Sequence, residues 1–300
     1  ISLSGGKLLD SFSPNLLSFM AAILVSVAQT LFRTGLTHLN PTATALMMNM
    51  TTVTLAAMLY FYLDEGGPWS LEAAFWFALV GFSGGSFGRY FNFQAVKLIG
   101  LARTSVLIQS LLIWTAVLGV MFLGERLTLG VAAGTLAIMF GAVLLVYEKE
   151  DGKRNYSLWL YLLPLMAAFA YSVTFLFRKY GLALMPSPPF GMVVASGSAS
   201  LLLMCAMPFT EGKSSKPEWH FGSLAFVGLG ASFNFMAMVL FWNALRDGEI
   251  VRVVPINRLS VLFVIFFSWF FFRKQEAVTF RVVAGGILSV VGAFVIVWGK

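Results

Sequence analysis

The chain has little charge, little histidine and almost no cysteine. Only 11% of its 300 residues are Asp, Glu, Lys or Arg, 59% are hydrophobic, and the mean hydropathy is +0.85. So little charged surface cannot keep a domain of this length in water, and lipid must be the solvent for most of it. No polar stretch is long enough to form a separate soluble catalytic domain. The single cysteine, Cys205, lies in the apolar run Leu201–Met207 with no disulfide partner and no metal-ligand neighbour. His38 and His220 fall near the ends of apolar runs, and no Asp or Glu falls inside one. An intramembrane enzyme needs a nucleophile–base pair or a metal cluster, so neither an enzyme nor a cofactor is expected. The formal charge is +7, but the basic residues are scattered singly or in pairs at run ends. They form no basic stripe with interleaved aromatics, which argues against nucleic acid as a partner.

What the chain does have is long apolar runs. A helix needs about 20 apolar residues to cross a hydrocarbon core of roughly 30 Å. Ten runs qualify: Leu16–Leu36, Thr42–Leu63, Ala73–Val96, Leu101–Leu123, Thr128–Tyr147, Leu158–Phe177, Phe190–Phe209, Phe221–Leu245, Ile250–Phe272 and Val278–Trp298. Residues 1–15 read as an N-terminal arm, 16–147 as a first five-helix unit, 148–157 as a polar linker and 158–300 as a second five-helix unit. The expected fold is an all-α integral membrane protein of ten transmembrane helices, with the lipid bilayer as its first partner.

The two units carry the same sequence signals. Leu31-Phe32-Arg33 before Pro41 recurs as Leu176-Phe177-Arg178 before Pro186. In the last run of each half, Glu125, Thr128, Val131, Ala133, Gly134, Gly141, Ala142 and Val146 match Glu276, Thr279, Val282, Ala284, Gly285, Gly292, Ala293 and Val297 at one offset. Five helices is an odd number, so the second copy must enter the membrane from the opposite face. An inverted repeat of this kind suits a secondary transporter working by alternating access around a midplane site. The plainer reading is that duplication merely enlarged a bundle, giving a membrane scaffold that transports nothing.

Two arginines are trapped at depth. Leu259–Phe272 alone would span only about 21 Å, so Arg258 cannot be pushed out of the ninth run. Arg89 is similarly held between Ala73–Gly88 and Tyr90–Val96. An Arg near the bilayer centre costs roughly 2.5–3.5 kcal/mol, and here no carboxylate at depth offsets it. Hydration, backbone carbonyls or an anionic substrate group must do so, and a planar guanidinium suits a carboxylate or phosphate. The alternative is a structural Arg that snorkels or caps carbonyls, the role assigned to Arg33, Arg103, Arg178 and Arg252.

Other residues at depth complete the candidate binding set: the amides Gln29, Gln109, Asn234 and Asn257, with Tyr171 and Trp242 as part of an apolar aromatic wall. Gly81 in the third run has Gly230 in the eighth as its counterpart, and if that offset is extended, Gln109 is the counterpart of Arg258. A cavity with amide on one side and guanidinium on the other suits a zwitterion or carboxylate. Gly85 and Gly88 share a face with Gly81 and Asn92, at a spacing that permits close helix packing and rocking between halves. Pro255 sits early in the ninth run, where it either breaks the helix beside Asn257 and Arg258 or makes a tolerated kink.

Gly124-Glu125-Arg126-Leu127-Thr128 leading into Gly134 and Gly141, its second copy with Glu276, Thr279, Gly285 and Gly292, and Val254-Pro255-Ile256-Asn257-Arg258-Leu259-Ser260 together resemble the EamA-type branch of the drug/metabolite transporter superfamily. The likeness runs from Leu16 to Trp298. It implies a ten-helix bundle with helices 1, 3, 4, 6, 8 and 9 around a central cavity. It also implies transport of amino acids and other small metabolites, and a bacterial inner membrane location with both termini cytoplasmic. The expected substrate is a small organic metabolite, anionic or zwitterionic, most simply an amino acid or other carboxylate. An exchanger of phosphorylated metabolites or nucleotide sugars is the second transport reading, with Arg89 and Arg258 sharing the phosphate. Lys97, Lys149, Lys153, Arg154, Lys213, Lys216, Arg273 and Lys274 fall on connectors that this orientation places outside, opposite to the positive-inside bias. The sequence therefore leaves orientation open, along with coupling ion, direction and the choice between monomer and dimer.

Overall fold

The computed structural model describes residues 11–35, 41–63, 69–99, 104, 107–146, 158–210, 221–271 and 280–298, and within them helix is the only regular secondary structure. The polar linker 148–157, most of the N-terminal arm, and Glu276 with Thr279 lie outside the described residues. In chain order the helices are α1 (Pro14–Gly35), α2 (Pro41–Tyr62), α3 (Leu71–Val80), a π-helical segment Gly81–Gly88, α4 (Arg89–Ile99), α5 (Leu111–Leu123) and α6 (Leu129–Val146). The second half holds a short 3-10 turn (Leu158–Tyr161), α7 (Leu162–Leu184), α8 (Pro188–Thr210), α9 (Phe221–Asp247), α10 (Ile250–Asn257), α11 (Ser260–Phe271) and α12 (Phe280–Trp298). Taking α3 to α4 as one rod and α10 with α11 as another gives ten helical units. Five helices are by themselves long and apolar enough to cross a bilayer.

Local chemistry sets the ends. Pro14, Pro41 and Pro188 open their helices, where a missing N–H costs nothing. The Ser70 side chain accepts from Ala73 N at 3.1 Å and caps α3. α5 stops at Gly124, whose φ of 65° only glycine adopts freely, and Glu125 N donates back to Gly119 O at 3.1 Å. Large apolar side chains such as Met121, Leu129, Leu201 and Trp298 stand on the outside, as lipid requires.

The largest helix contacts map onto one another when each unit of the first half is exchanged with its counterpart in the second. α1 packs on α9 and on α10–α11, while α7 packs on α3–α4 and on α5. α2 pairs with α8 and α6 with α12, pairs that the exchange carries into themselves. The α6–α12 contact shows the exchange atom by atom. A methyl group on Gly134 would lie 2.5 Å from Gly292 O, and one on Gly141 would lie 2.6 Å from Gly285 O. Since Gly134 and Gly141 correspond to Gly285 and Gly292, the two contacts are images of each other, and the two helices run antiparallel.

These backbones touch because no Cβ intervenes. Gly134→Val and Gly292→Val should each lower the midpoint of thermal unfolding in detergent by the equivalent of about 1–3 kcal/mol. Gly197→Val, at a glycine with open space around it, serves as the control. Equal melting of all three variants would remove this contact from the stability of the bundle.

Candidate functional site

The ninth unit is interrupted at Arg258–Leu259, between α10 and α11. Arg258 N donates to Val254 O at 3.2 Å and to Pro255 O at 3.0 Å, and the next bonds, Leu259 N to Ile256 O and Val261 N to Arg258 O, span three residues. The break is thus a tightened turn, three residues beyond Pro255. Its counterpart in the fourth unit is Gln109–Ser110, where Ser110 N donates to Leu107 O and Leu112 N to Gln109 O at 3.1 Å each. Serines on the packed helices meet carbonyls beside both breaks. Ser26 Oγ donates to Ser260 O at 3.0 Å, and Ser172 Oγ donates to Leu111 O at 2.9 Å. Ser18 Oγ adds a bond to Val253 O at 2.7 Å, and Asn257 Nδ2 reaches Ser18 O at 3.4 Å.

Tyr171, on α7, is the residue that the two deep arginines share. Its hydroxyl is hydrogen-bonded to Asn92, and it lies within electrostatic reach of both Arg89 and Arg258. Gly88 lets the third unit approach this closely: a methyl there would stand 2.7 Å from Tyr171 Cε1. Gly85 does the same against Ala199, and Ser83 Oγ meets Thr174 Oγ1 at 3.0 Å. Arg89 begins the helix that leaves the π-helical segment, a widened turn of the kind that recurs at functional sites. Arg89, Tyr171 and Arg258 all lie deep in the bundle, yet each keeps part of its surface accessible. Among the described residues no carboxylate pairs with either arginine, and Arg89 Nη1 is buried without a partner.

The other predicted residues are distributed differently. Gln109 is buried at its break with Oε1 unpaired, and Asn234 is half-buried with Nδ2 3.4 Å from Met238 Sδ. Gln29 is exposed on α1. Trp242 is buried in the core, 5.6 Å from the Phe77 ring. Arg178 departs from its expected snorkelling role. α7 continues to Leu184, well past the predicted end at Phe177, so the guanidinium stays inside and stacks 4.3 Å from the Trp242 ring centroid. An apolar groove of about 420 Å³ lined by Ile113, Val117, Val120, Met121 and Leu136 is far from this chemistry in character; its exposed side chains suit lipid tails.

A second polar cluster, at the α9–α10 joint, was not anticipated. Lys179 Nζ donates to Leu245 O at 2.8 Å, Arg246 O at 3.2 Å and Gly248 O at 2.7 Å, using all three of its donors to cap α9. Glu125, buried, accepts from Ile250 N at 2.7 Å and Val251 N at 3.0 Å, the first amides of α10. Tyr180 OH donates to Phe122 O at 3.2 Å beside them. The Glu125 and Tyr180 bonds latch the first half to the second at one end of the bundle, and the Lys179 bonds tie α7 to the end of α9 within the second half. The Gly-Glu pair was visible in the sequence, but nothing there marked which amides it would reach.

Burial pushes the Glu125 carboxyl above the usual carboxylate range, against the pull of the two amide bonds and the Lys179 ammonium, while Glu249 adds to the rise. Glu249 is itself paired with Arg252 at 3.0 Å. A proton on Glu125 turns one oxygen into a donor, so the group can no longer accept both amides. Hydrogen-exchange protection at Ile250 and Val251, corrected for intrinsic rates, should therefore fall as the pH is lowered and Glu125 takes up its proton, and it should do so at a higher pH than an ordinary carboxylate requires. Glu125→Gln should show low protection throughout the titration. Protection that stays constant as the pH is lowered would separate Glu125 from the latch.

The sequence model of the EamA-like transporter family matches residues 12–147 and 158–298, once for each half. No curated protein matches the chain. A solved structure described only as "Crystal structure of protein" superposes with a TM-score of 0.79 over 97% of this chain and 100% of its own, at 18% identity, a likeness of fold.

Proposed function

Because this chain belongs to the EamA-like transporter family, a family of multi-pass membrane proteins that move small molecules, we propose that it is a secondary transporter whose two halves are inverted repeats working by alternating access. The antiparallel, mutually exchanged contacts of α6 and α12 support the inverted arrangement. The binding site is the wall formed by Arg258, Arg89, Tyr171 and Asn92, with Gln109, Asn257 and Asn234 as further amides and Gly85, Gly88 and Pro255 at the moving joints. The single observation that carries the substrate class is a pair of deep, partly accessible guanidinium groups within electrostatic reach of one tyrosine, with no carboxylate paired to either among the described residues. Such a site favours a small carboxylate or zwitterion, an amino acid being the simplest, since Arg meets a carboxylate with two parallel bonds.

A second reading follows from the same pair. Two cations within reach of one hydroxyl also suit a phosphate, whose extra charge would engage both arginines at once, as in an exchanger of phosphorylated metabolites.

A thermal-shift screen of amino acids, other carboxylates and phosphorylated metabolites on the purified chain separates the two. Ligands that stabilise the wild type should lose most of their effect in Arg258→Met. Counterflow of the best ligand in proteoliposomes should fall by about tenfold or more in that variant, with a smaller loss in Tyr171→Phe. A carboxylate should depend mainly on one arginine and a phosphate on both. Wild-type flux and affinity in Arg258→Met would end this account.

A further inference from the structure

The face of α7 that carries Tyr171 also carries a third guanidinium. Arg178 follows Tyr171 by seven residues, so both side chains leave the helix in nearly the same direction, about 10 Å apart along its axis. Arg178 is the nearer of the two to the end closed by Lys179 and Glu125.

Its surroundings are aromatic. The guanidinium carbon is 4.3 Å from the Trp242 ring centroid, 5.6 Å from that of Phe241 and 5.8 Å from that of Phe175. Ring faces attract the cation, but they accept nothing from its in-plane N–H groups. Arg178 Nε is buried without an acceptor, and so is Nε1 of Trp242, a residue only 1% exposed. Among the described residues no carboxylate acts on Arg178, although its side chain keeps part of its surface accessible. Buried donors are almost always paired, so two orphaned donors in one stack mark the place of an absent acceptor. A planar cationic fork beside an indole N–H has the donor geometry for a carboxylate, and the ring walls suit an apolar body attached to it.

We propose that Arg178 and Trp242 form a second anion subsite, which takes the carboxylate of an aromatic or other apolar carboxylic acid between the Arg89–Tyr171–Arg258 wall and the latched end of the bundle. Its place on a transport path rests on the transport reading given above; its capacity to bind a carboxylate does not.

Counting binding sites for 4-fluorobenzoate tests it. The full chain in nanodiscs of zwitterionic lipid is titrated by fluorine NMR, with 4-fluorobenzamide as the uncharged control for partition into lipid. The wild type should show two saturable sites, Arg178→Met one and Arg258→Met one. Trp242→Phe keeps the ring face and removes the N–H, so it should weaken the Arg178 site alone by about tenfold. Two sites of wild-type affinity in Arg178→Met overturn the proposal, as does a wild type with no saturable site. If Arg178→Met does not fold, unchanged affinity in both Arg178→Lys and Trp242→Phe overturns it equally. Loss confined to Arg258→Met sinks the subsite and spares the central site, and loss confined to the Arg178 and Trp242 variants does the reverse.

Discussion

No backbone amide or carbonyl in a bilayer stays unpaired without a cost of several kcal/mol, and the shape of this protein follows from that constraint. An unbroken helix satisfies it internally. This chain interrupts two of its helices, at Gln109–Ser110 and Arg258–Leu259, and ends α9 and begins α10 at one buried joint. At each place a side chain from a different helix supplies a bond: Ser172 at the first break, Ser18 and Ser26 beside the second, Lys179 and Glu125 at the joint. The side chains that meet irregular backbone thereby fix how the helices sit against one another. The position of Arg258 is set by this arrangement, since it occupies the turn that the serines of α1 flank.

Charge is sorted by depth. Arg89, Arg178 and Arg258 lie inside, whereas Glu125, Asp247 and Glu249 stand at the α9–α10 joint. An acid placed beside Arg258 would pair with it, and a paired guanidinium has little left to offer a ligand. Aromatic faces and a tyrosine hydroxyl make the deep cations tolerable without neutralising them. The acidic groups are employed where backbone amides need acceptors. Arginines thus stand without acidic partners at depth, while Glu125 and Lys179 close the joint.

How much of this the sequence discloses depends on how local the signal is. Helices and the duplication are written in apolar runs and a constant offset, because lipid demands length and a repeated fold repeats its small residues. Gly134, Gly141, Gly285 and Gly292 were legible in this way, and their contacts explain why that spacing recurs. Arg258 was legible from geometry alone, since too few residues follow it to span a bilayer. Arg178 is hidden because the apolar run stops at Phe177: Arg178, Lys179 and Tyr180 interrupt it, although α7 continues to Leu184. The π-helical segment left no trace beyond its glycines. The bonds of Lys179 and Glu125 were invisible, since each joins positions 66 to 126 residues apart and neither residue type specifies a partner.

The two halves share a scaffold and differ at the chemistry. The breaks correspond, the serine bonds beside them correspond, and the glycine contacts of α6 and α12 map onto one another. Yet Gln109 faces Arg258 in that correspondence, and the π-helical segment of the third unit has a regular helix, α9, as its counterpart. Under alternating access this division has a physical use. A scaffold whose contacts are exchanged between two states keeps those states close in energy, so a ligand of modest affinity shifts the balance. A guanidinium with no twin leaves the bound anion in unlike surroundings on its two sides. On the proposed alternating access, near-equal energies of the two states would come from the duplicated residues, and discrimination among ligands from the residues that broke the duplication.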